Sequence, residues 1–306
     1  MRIIFIATGD IALPAFRYLL TEGPRPLTLV TQPDKRAGRK MELTPPQIKV
    51  EAMKAGIPVC QPEVIGDIVD ELKALKPELL VVMAYGQIIK QNLLDFPDAH
   101  LVNLHASLLP KHRGAACIQA AIDAGDTQTG ITAQHVVRKL DAGDLIHSES
   151  IAIAGDETGG SLHDRLADLA VPVMVKTIEL LACDDPPRTP QNEDQASYIG
   201  KLGREDGRLD WSLCAEVLER RIRAYDPWPG TYTTVVEGGV SKRLKIYPPT
   251  VVTKKDLTAG EVSIEEDRLF VGTDEGALEL TSIQPEGSKR MAVSDYVLGR
   301  QPDRFI

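Results

Sequence analysis

The sequence predicts an α/β fold: a doubly wound, mostly parallel sheet followed by a small C-terminal β-barrel. In the first half, short and nearly continuous β-branched apolar runs alternate with helical stretches, as expected of strands buried on both faces by crossover helices. In the C-terminal third, runs that alternate apolar with polar residues are broken by turn residues about every ten positions, the pattern of a small barrel or sandwich.

The strand runs are Arg2–Thr8 (RIIFIAT), Leu27–Gln32 (LTLVTQ) and Glu78–Tyr85 (ELLVVMAY). Between them, PAFRYLLTEG and QIKVEAMKAGI read as helices, each with a glycine where helices end. AHLVNLHAS is a further strand, AACIQAAIDAGD a helix, and GITAQHVVRKLDAGDLIHSESIAI two strands about a turn. SLHDRLADLAVPVMVKTIELLAC repeats its apolar residues near the helical period and predicts one long amphipathic helix. The stretch 184–197, DDPPRTPQNEDQAS, is rich in proline and polar residues and reads as a linker. Beyond it come a helix, SLCAEVLERRIRAY, and the strand runs GTYTTVVEGG, KRLKIYPPTVV and RLFVGTDEGALELTSIQP. The expected layout is a catalytic domain over 1–189, a linker over 190–207 and a barrel over 208–306.

A chain of 306 residues with 43% hydrophobic content can bury a sizeable core. Its net charge of −9 argues against a surface that grips nucleic acid everywhere, so any such contact must use local patches. The opening MRIIFIATGD holds only a brief apolar run, and no window approaches the roughly 18 apolar residues of a membrane span, which predicts a soluble, cytoplasmic protein with no membrane partner. Cys60, Cys117, Cys183 and Cys214 are spaced singly, so buried small hydrophobes are expected rather than disulfides or a metal centre.

The stretch NLHASLLPKHRG, Asn103 to Gly114, follows a predicted strand at its carboxyl end, where open α/β sheets bind ligands. Side chains alternate along a strand, so Asn103, His105 and Ser107 share one side. An amide and an imidazole that donate together suit the oxyanion of an acyl-transfer intermediate. A carboxylate from LDAGD, either Asp141 or Asp144, can join them, raising the proton affinity of the imidazole or taking a proton from an attacking amine. The residues alone also allow a hydrogen-bonded core histidine, a strand-end asparagine and a turn aspartate.

The run NLHASLLPKHRGAACIQAAIDAGDTQTGIT, followed by LDAGD with Asp141 36 positions after His105, resembles the formyltransferase family that uses 10-formyltetrahydrofolate. The resemblance implies a Rossmann-like catalytic domain with an OB-like barrel and a catalytic trio of Asn103, His105 and Asp141. It also implies folate bound along Ser107, Leu108, Leu109 and Pro110, no metal, and a monomer. Residues 81–89 would line the pteridine pocket or are plain core. The stretch TQPDKRAGRKMELTPPQIK resembles the loop of the methionyl-tRNA branch that enters the acceptor arm, and it sets Lys35, Arg36, Arg39 and Lys40 about Gly38. The implied reaction is formyl transfer to the α-amine of initiator methionyl-tRNA, with formylation of a nucleotide sugar as the alternative. Two departures from the family pattern are Cys117, where proline is usual, and ATGD at 7–10, where Gly-Thr-Pro is usual. Lys242–Lys245, Lys254 with Lys255, and Lys289 with Arg290 are candidate further cationic patches. Trp211 and Trp228 are expected as core or hinge anchors, and His135, His147 and His163 as surface residues.

Overall fold

The apolar runs of the first half become the parallel strands of a seven-stranded sheet. The computed structural model describes residues 1–37, 41–96 and 99–306, with the backbone alone at Ala37. In spatial order the strands are Leu145–Ala152, Gln128–His135, His100–His105, Leu79–Met83, Ile3–Ala7, Thr28–Val30 and Val59–Cys60. The last five named run parallel to one another, and Gln128–His135 joins His100–His105 antiparallel, with Asn103 opposite Gln134 and His105 opposite Thr132.

All five residues of Ile3–Ala7 are buried, as a strand covered on both faces requires. Ile4 and Ile6 join Val30, Leu80, Val82, Ile65, Val69, Leu72 and Phe96 on one face. Phe5 points the other way and meets Phe16 of the helix Leu13–Thr21, with ring centroids 5.5 Å apart. This two-sided cover fixes the sheet and leaves the carboxyl ends of its strands open to loops. The long helix spans Gly159–Leu181.

The chain divides into two compact units. One comprises residues 1–117, 129–151 and 163–199, and the other 118–128, 152–162 and 200–306. The second holds a nearly closed antiparallel barrel, with strands in the order Val262–Glu265, Arg268–Gly272, Ala277–Pro285, Val240–Thr253, Thr231–Glu237 and Arg304–Phe305. Its two edges approach where Glu261 bridges Arg304 and the Phe305 N–H donates to the Gly260 carbonyl at 2.8 Å. The strand Val240–Thr253 shifts register between Tyr247 and Thr250, at Pro248-Pro249, because proline has no N–H to give the ladder. Trp211 is buried in this barrel, edge-on to Phe305, and its indole N–H donates to Thr233. Trp228, also expected as a core or hinge anchor, is half exposed and so not a core residue.

Candidate active site

At its carboxyl end the strand His100–His105 points Asn103 and His105 to the same side, as the period of two requires. The turn of LDAGD brings Asp141 to them: Asn103 Nδ2 donates to Asp141 Oδ1 at 3.4 Å, and His105 Nδ1 lies 3.7 Å from Asp141 Oδ2. Asp144, the other candidate, turns outward and sits 4.0 Å from Arg188. Asp141 adopts the left-handed conformation, φ +48°, which a short polar side chain tolerates. Gly143 is required by close approach, because a Cβ there would lie 1.7 Å from the His135 carbonyl oxygen.

His105 is 93% buried, with 7% of its surface exposed. Its Nε2 lies 2.9 Å from the His112 carbonyl, which can only accept, so Nε2 carries the proton and Nδ1 is the nitrogen that faces Asp141. Burial pulls the imidazole pKa down, but the neighbouring Cys117 thiol, the Asp141 carboxylate and the His112 carbonyl outweigh it and raise the group to about 9. Near neutral pH His105 is then a cation that can donate from both nitrogens.

Ser107 does not join Asn103 and His105. Its hydroxyl donates to the Lys111 carbonyl at 2.7 Å, while its own carbonyl accepts from Thr132 Oγ1 and Leu109 N–H donates back to that hydroxyl. Ser107, Leu108, Leu109 and Pro110 form a turn stapled to the neighbouring strand through Thr132. Leu109 is buried, and Leu108 and Pro110 are partly exposed. Within 81–89, Val81, Val82, Met83 and Tyr85 are buried and Ile88 is exposed.

Sequence reading missed much of what surrounds this trio. Arg113, one of two cations in KHRG, is fully buried: it holds Glu193 with two nitrogens at 2.9 and 3.2 Å, Gln191 Oε1 at 2.8 Å and the Tyr198 hydroxyl at 2.6 Å. Glu193, also paired with Lys139, is held down to about 2, chiefly by the Arg113 guanidinium. The stretch read as a linker therefore lies against the site as a strap. Thr189 exchanges backbone hydrogen bonds with Leu145, and Tyr198–Ile199 pairs in parallel with Arg113–Gly114. Gly114 N–H donates to Asp141 Oδ2 at 2.9 Å, and Gln134 Nε2 to Asp141 Oδ1 at 3.0 Å. Gln134 is set opposite Asn103 by strand pairing that the sequence does not show. Gln191 and Glu193 had no signal either, since a proline-rich polar segment carries no period from which a contact could be read.

The other expectations divide. Lys35 and Arg36 sit exposed on a short strand, Lys35–Ala37, paired antiparallel with Glu42–Thr44, and Arg36 donates to the Met41 carbonyl. Arg39 and Lys40 lie outside the described residues. In the barrel unit, Lys242 pairs with Glu237, Lys255 with Glu265, and the Arg243 and Arg290 guanidinium groups cover the Tyr232 and Tyr247 rings. All four cysteines are free, but only Cys117 is fully buried and Cys183 is exposed. His135 is buried rather than at the surface, because its ring lies under the strap at the Pro187 carbonyl.

The family models for formyl transferase and for the formyl transferase C-terminal domain match residues 1–178 and 201–301. The chain belongs to the formyl transferase family. Among formyl transferases, a methionyl-tRNA formyltransferase of Akkermansia muciniphila is 47% identical over 98% of this chain and 96% of its own length. One of Geobacillus thermodenitrificans is 42% identical over 97% and 93%. The solved methionyl-tRNA formyltransferase of Clostridium thermocellum aligns with a TM-score of 0.56 at 16% identity, over 92% of this chain and 98% of that one. An N-formyltransferase of Helicobacter canadensis, solved with folinic acid and dTDP-3-aminofucose, gives a TM-score of 0.67 at 15% identity over 95% and 100%. At such identities these two structures speak for the fold alone. No helix among the described residues is long and apolar enough to cross a membrane.

Proposed function

We propose that this chain transfers the formyl group of 10-formyltetrahydrofolate to the α-amine of initiator methionyl-tRNA, giving N-formylmethionyl-tRNA, as a cytoplasmic monomer. Methionyl-tRNA formyltransferases align with it over 97 and 98% of its length. The observation that carries the chemistry is the meeting of Asn103, His105 and Asp141 at the carboxyl end of one strand. In this reading 1–189 is the catalytic domain, 190–207 the connection and 208–306 the tRNA-facing barrel.

The amine attacks the formyl carbon, and the carbonyl oxygen becomes an oxyanion. Asn103 donates to it with the amide hydrogen that Asp141 does not take, and His105 with its Nδ1–H, since Nε2–H is held by the His112 carbonyl. A site cation of this kind stabilises charge that develops only in the transition state. Asp141 accepts the proton that leaves the amine, directly or through water, and that proton returns to N10 as the C–N10 bond breaks. Nucleophile and leaving group are both amines, so no serine or cysteine intermediate is needed. Ser107, Leu108, Leu109 and Pro110 support the folate through the shape of their turn, because the Ser107 hydroxyl is already committed to Lys111. Lys35 and Arg36, with Arg39 and Lys40 beyond them, supply phosphate contacts to the acceptor arm.

The test is incubation with 10-formyltetrahydrofolate and charged initiator tRNA, scoring formyl transfer. Wild-type transfer with a loss of at least about 100-fold in His105→Ala and Asp141→Asn supports the reading, in line with removal of an oxyanion donor or a proton acceptor. Activity confined to a nucleotide-linked amino sugar refutes it.

A further inference from the structure

We propose that Gln134 and Gln191 form an amide relay that orients the Asp141 carboxylate from the buried Arg113, which makes both of them positioning residues for formyl transfer. This rests on the catalytic reading above.

Four groups in line form the chain. Arg113 donates to Gln191 Oε1 from Nη2 at 2.8 Å and from Nε at 3.2 Å. Gln191 Nε2 donates to Gln134 Oε1 at 3.2 Å, and Gln134 Nε2 to Asp141 Oδ1 at 3.0 Å. Every link points the same way, from cation to carboxylate, and aligned hydrogen bonds polarise one another. The direction is fixed by chemistry. The oxygen of Gln191 faces a guanidinium that can only donate, while its nitrogen faces three acceptors: Gln134 Oε1, the Asp141 carbonyl at 2.9 Å and the Gly143 carbonyl at 2.7 Å. Gln134 is fixed likewise, since its oxygen also accepts from Gly143 N–H at 3.2 Å.

The relay grips the turn at three points, the Asp141 carbonyl, the Asp141 carboxylate and the Gly143 carbonyl. Asp141 is also in the left-handed conformation, which persists only where its surroundings over-determine it. Arg113 fixes the strap end through Glu193 and Tyr198, so the segment joining the catalytic domain to the barrel is part of the catalytic apparatus. Without the relay the carboxylate keeps Gly114 N–H and Asn103 but loses the Gln134 donor that sets its rotation. A misplacement near 1 Å is enough to cost on the order of 100-fold in rate.

The experiment compares wild type with Gln191→Ala, Gln191→Glu, Gln134→Ala and the Gln134→Ala/Gln191→Ala double variant. It measures kcat and KM for both substrates, tetrahydrofolate binding by calorimetry, and the His105 titration by NMR of labelled histidine. The groups facing His105 are the Asp141 carboxylate, the Cys117 thiol and the His112 carbonyl, so a displaced Asp141 lowers the His105 pKa. Each single variant is expected to lose 10-fold or more in kcat, with KM and tetrahydrofolate affinity within about twofold of wild type. The double variant should lose little more than the worse single one, because both cut the same chain. Gln191→Glu keeps the volume but cannot donate to the acceptors that share the two amide hydrogens of Gln191, so it should lose as much as Gln191→Ala, whereas a packing role would spare it. Wild-type kcat and an unmoved His105 titration in Gln191→Glu overturn the relay, as do fully additive losses in the double variant. A wild-type protein that does not formylate methionyl-tRNA refutes the functional reading instead, and the His105 titration then tests the relay by itself.

Discussion

Gly114→Ala should cost both stability and rate, because Gly114 stands where the strap meets the site. Its φ is +110°, a region left to glycine, and a Cβ built there lies 2.1 Å from the Ile199 carbonyl oxygen. Non-bonded contacts of carbon sit near ~3.5 Å, so the strap must retreat by about 1.4 Å or the loop must twist. The dihedral alone costs on the order of 1–3 kcal/mol. Retreat also strains the Ala115 N–H bond to Ile199 and the Arg113 N–H bond to Ser197, at 3.1 and 2.8 Å, each worth about 1 kcal/mol. The total, roughly 3–5 kcal/mol, is at the upper end for one substitution and corresponds to a fall in Tm of about 10 °C for a domain of this size. Since Gly114 N–H also holds Asp141 Oδ2, kcat should fall by 10-fold or more in the fraction that remains folded. Calorimetry and formyl-transfer kinetics test this against Gly155→Ala, where an added Cβ meets nothing within 4 Å. A Gly114→Ala protein with a Tm within 2 °C of wild type and wild-type kcat would refute the account of the strap.

Three further outcomes are expected. Cys117→Ala should lower the His105 pKa, read by NMR of labelled histidine, since the Cys117 thiol is foremost among the groups holding the imidazole up; an unchanged titration would remove Cys117 from the site. The raised folded pKa, against about 6.5 unfolded, means that His105 adds stability fully present below pH ~6.5 and lost as pH rises through about 9. The stability advantage of wild type over His105→Gln should therefore shrink between pH 6.5 and 9.5 in urea titrations, and an advantage that grows with pH contradicts the assignment. Lys35→Glu/Arg36→Glu should raise KM for methionyl-tRNA and flatten its salt dependence, because both residues are exposed cations. A KM for tRNA that does not move would place the acceptor arm elsewhere.

The alternation of apolar runs and helical stretches determined the parallel sheet, because strands buried on both faces need continuous β-branched residues and Ile3–Ala7 supplies them. The period of two along His100–His105 likewise determined that Asn103 and His105 face together, and the shared motif named the family. Both signals are local in the chain. What pairs residues far apart was decided only by the tertiary structure. Taken alone, the residues left Asp141 and Asp144 as alternatives, of which the resemblance picked Asp141, and the fold sets that one 3.7 Å from His105. Ser107 shares the parity of Asn103 and His105, yet it lies past the strand end, where alternation no longer holds. Nothing local in KHRG marks Arg113 as buried, and only the folded strap covers it. The strap itself read as a linker because it contributes single side chains and backbone groups, Gln191, Glu193 and Ser197, each bonded to a partner tens of residues away. Such contacts leave no periodicity, and only packing of the whole domain brings them to the turn and the loop they hold.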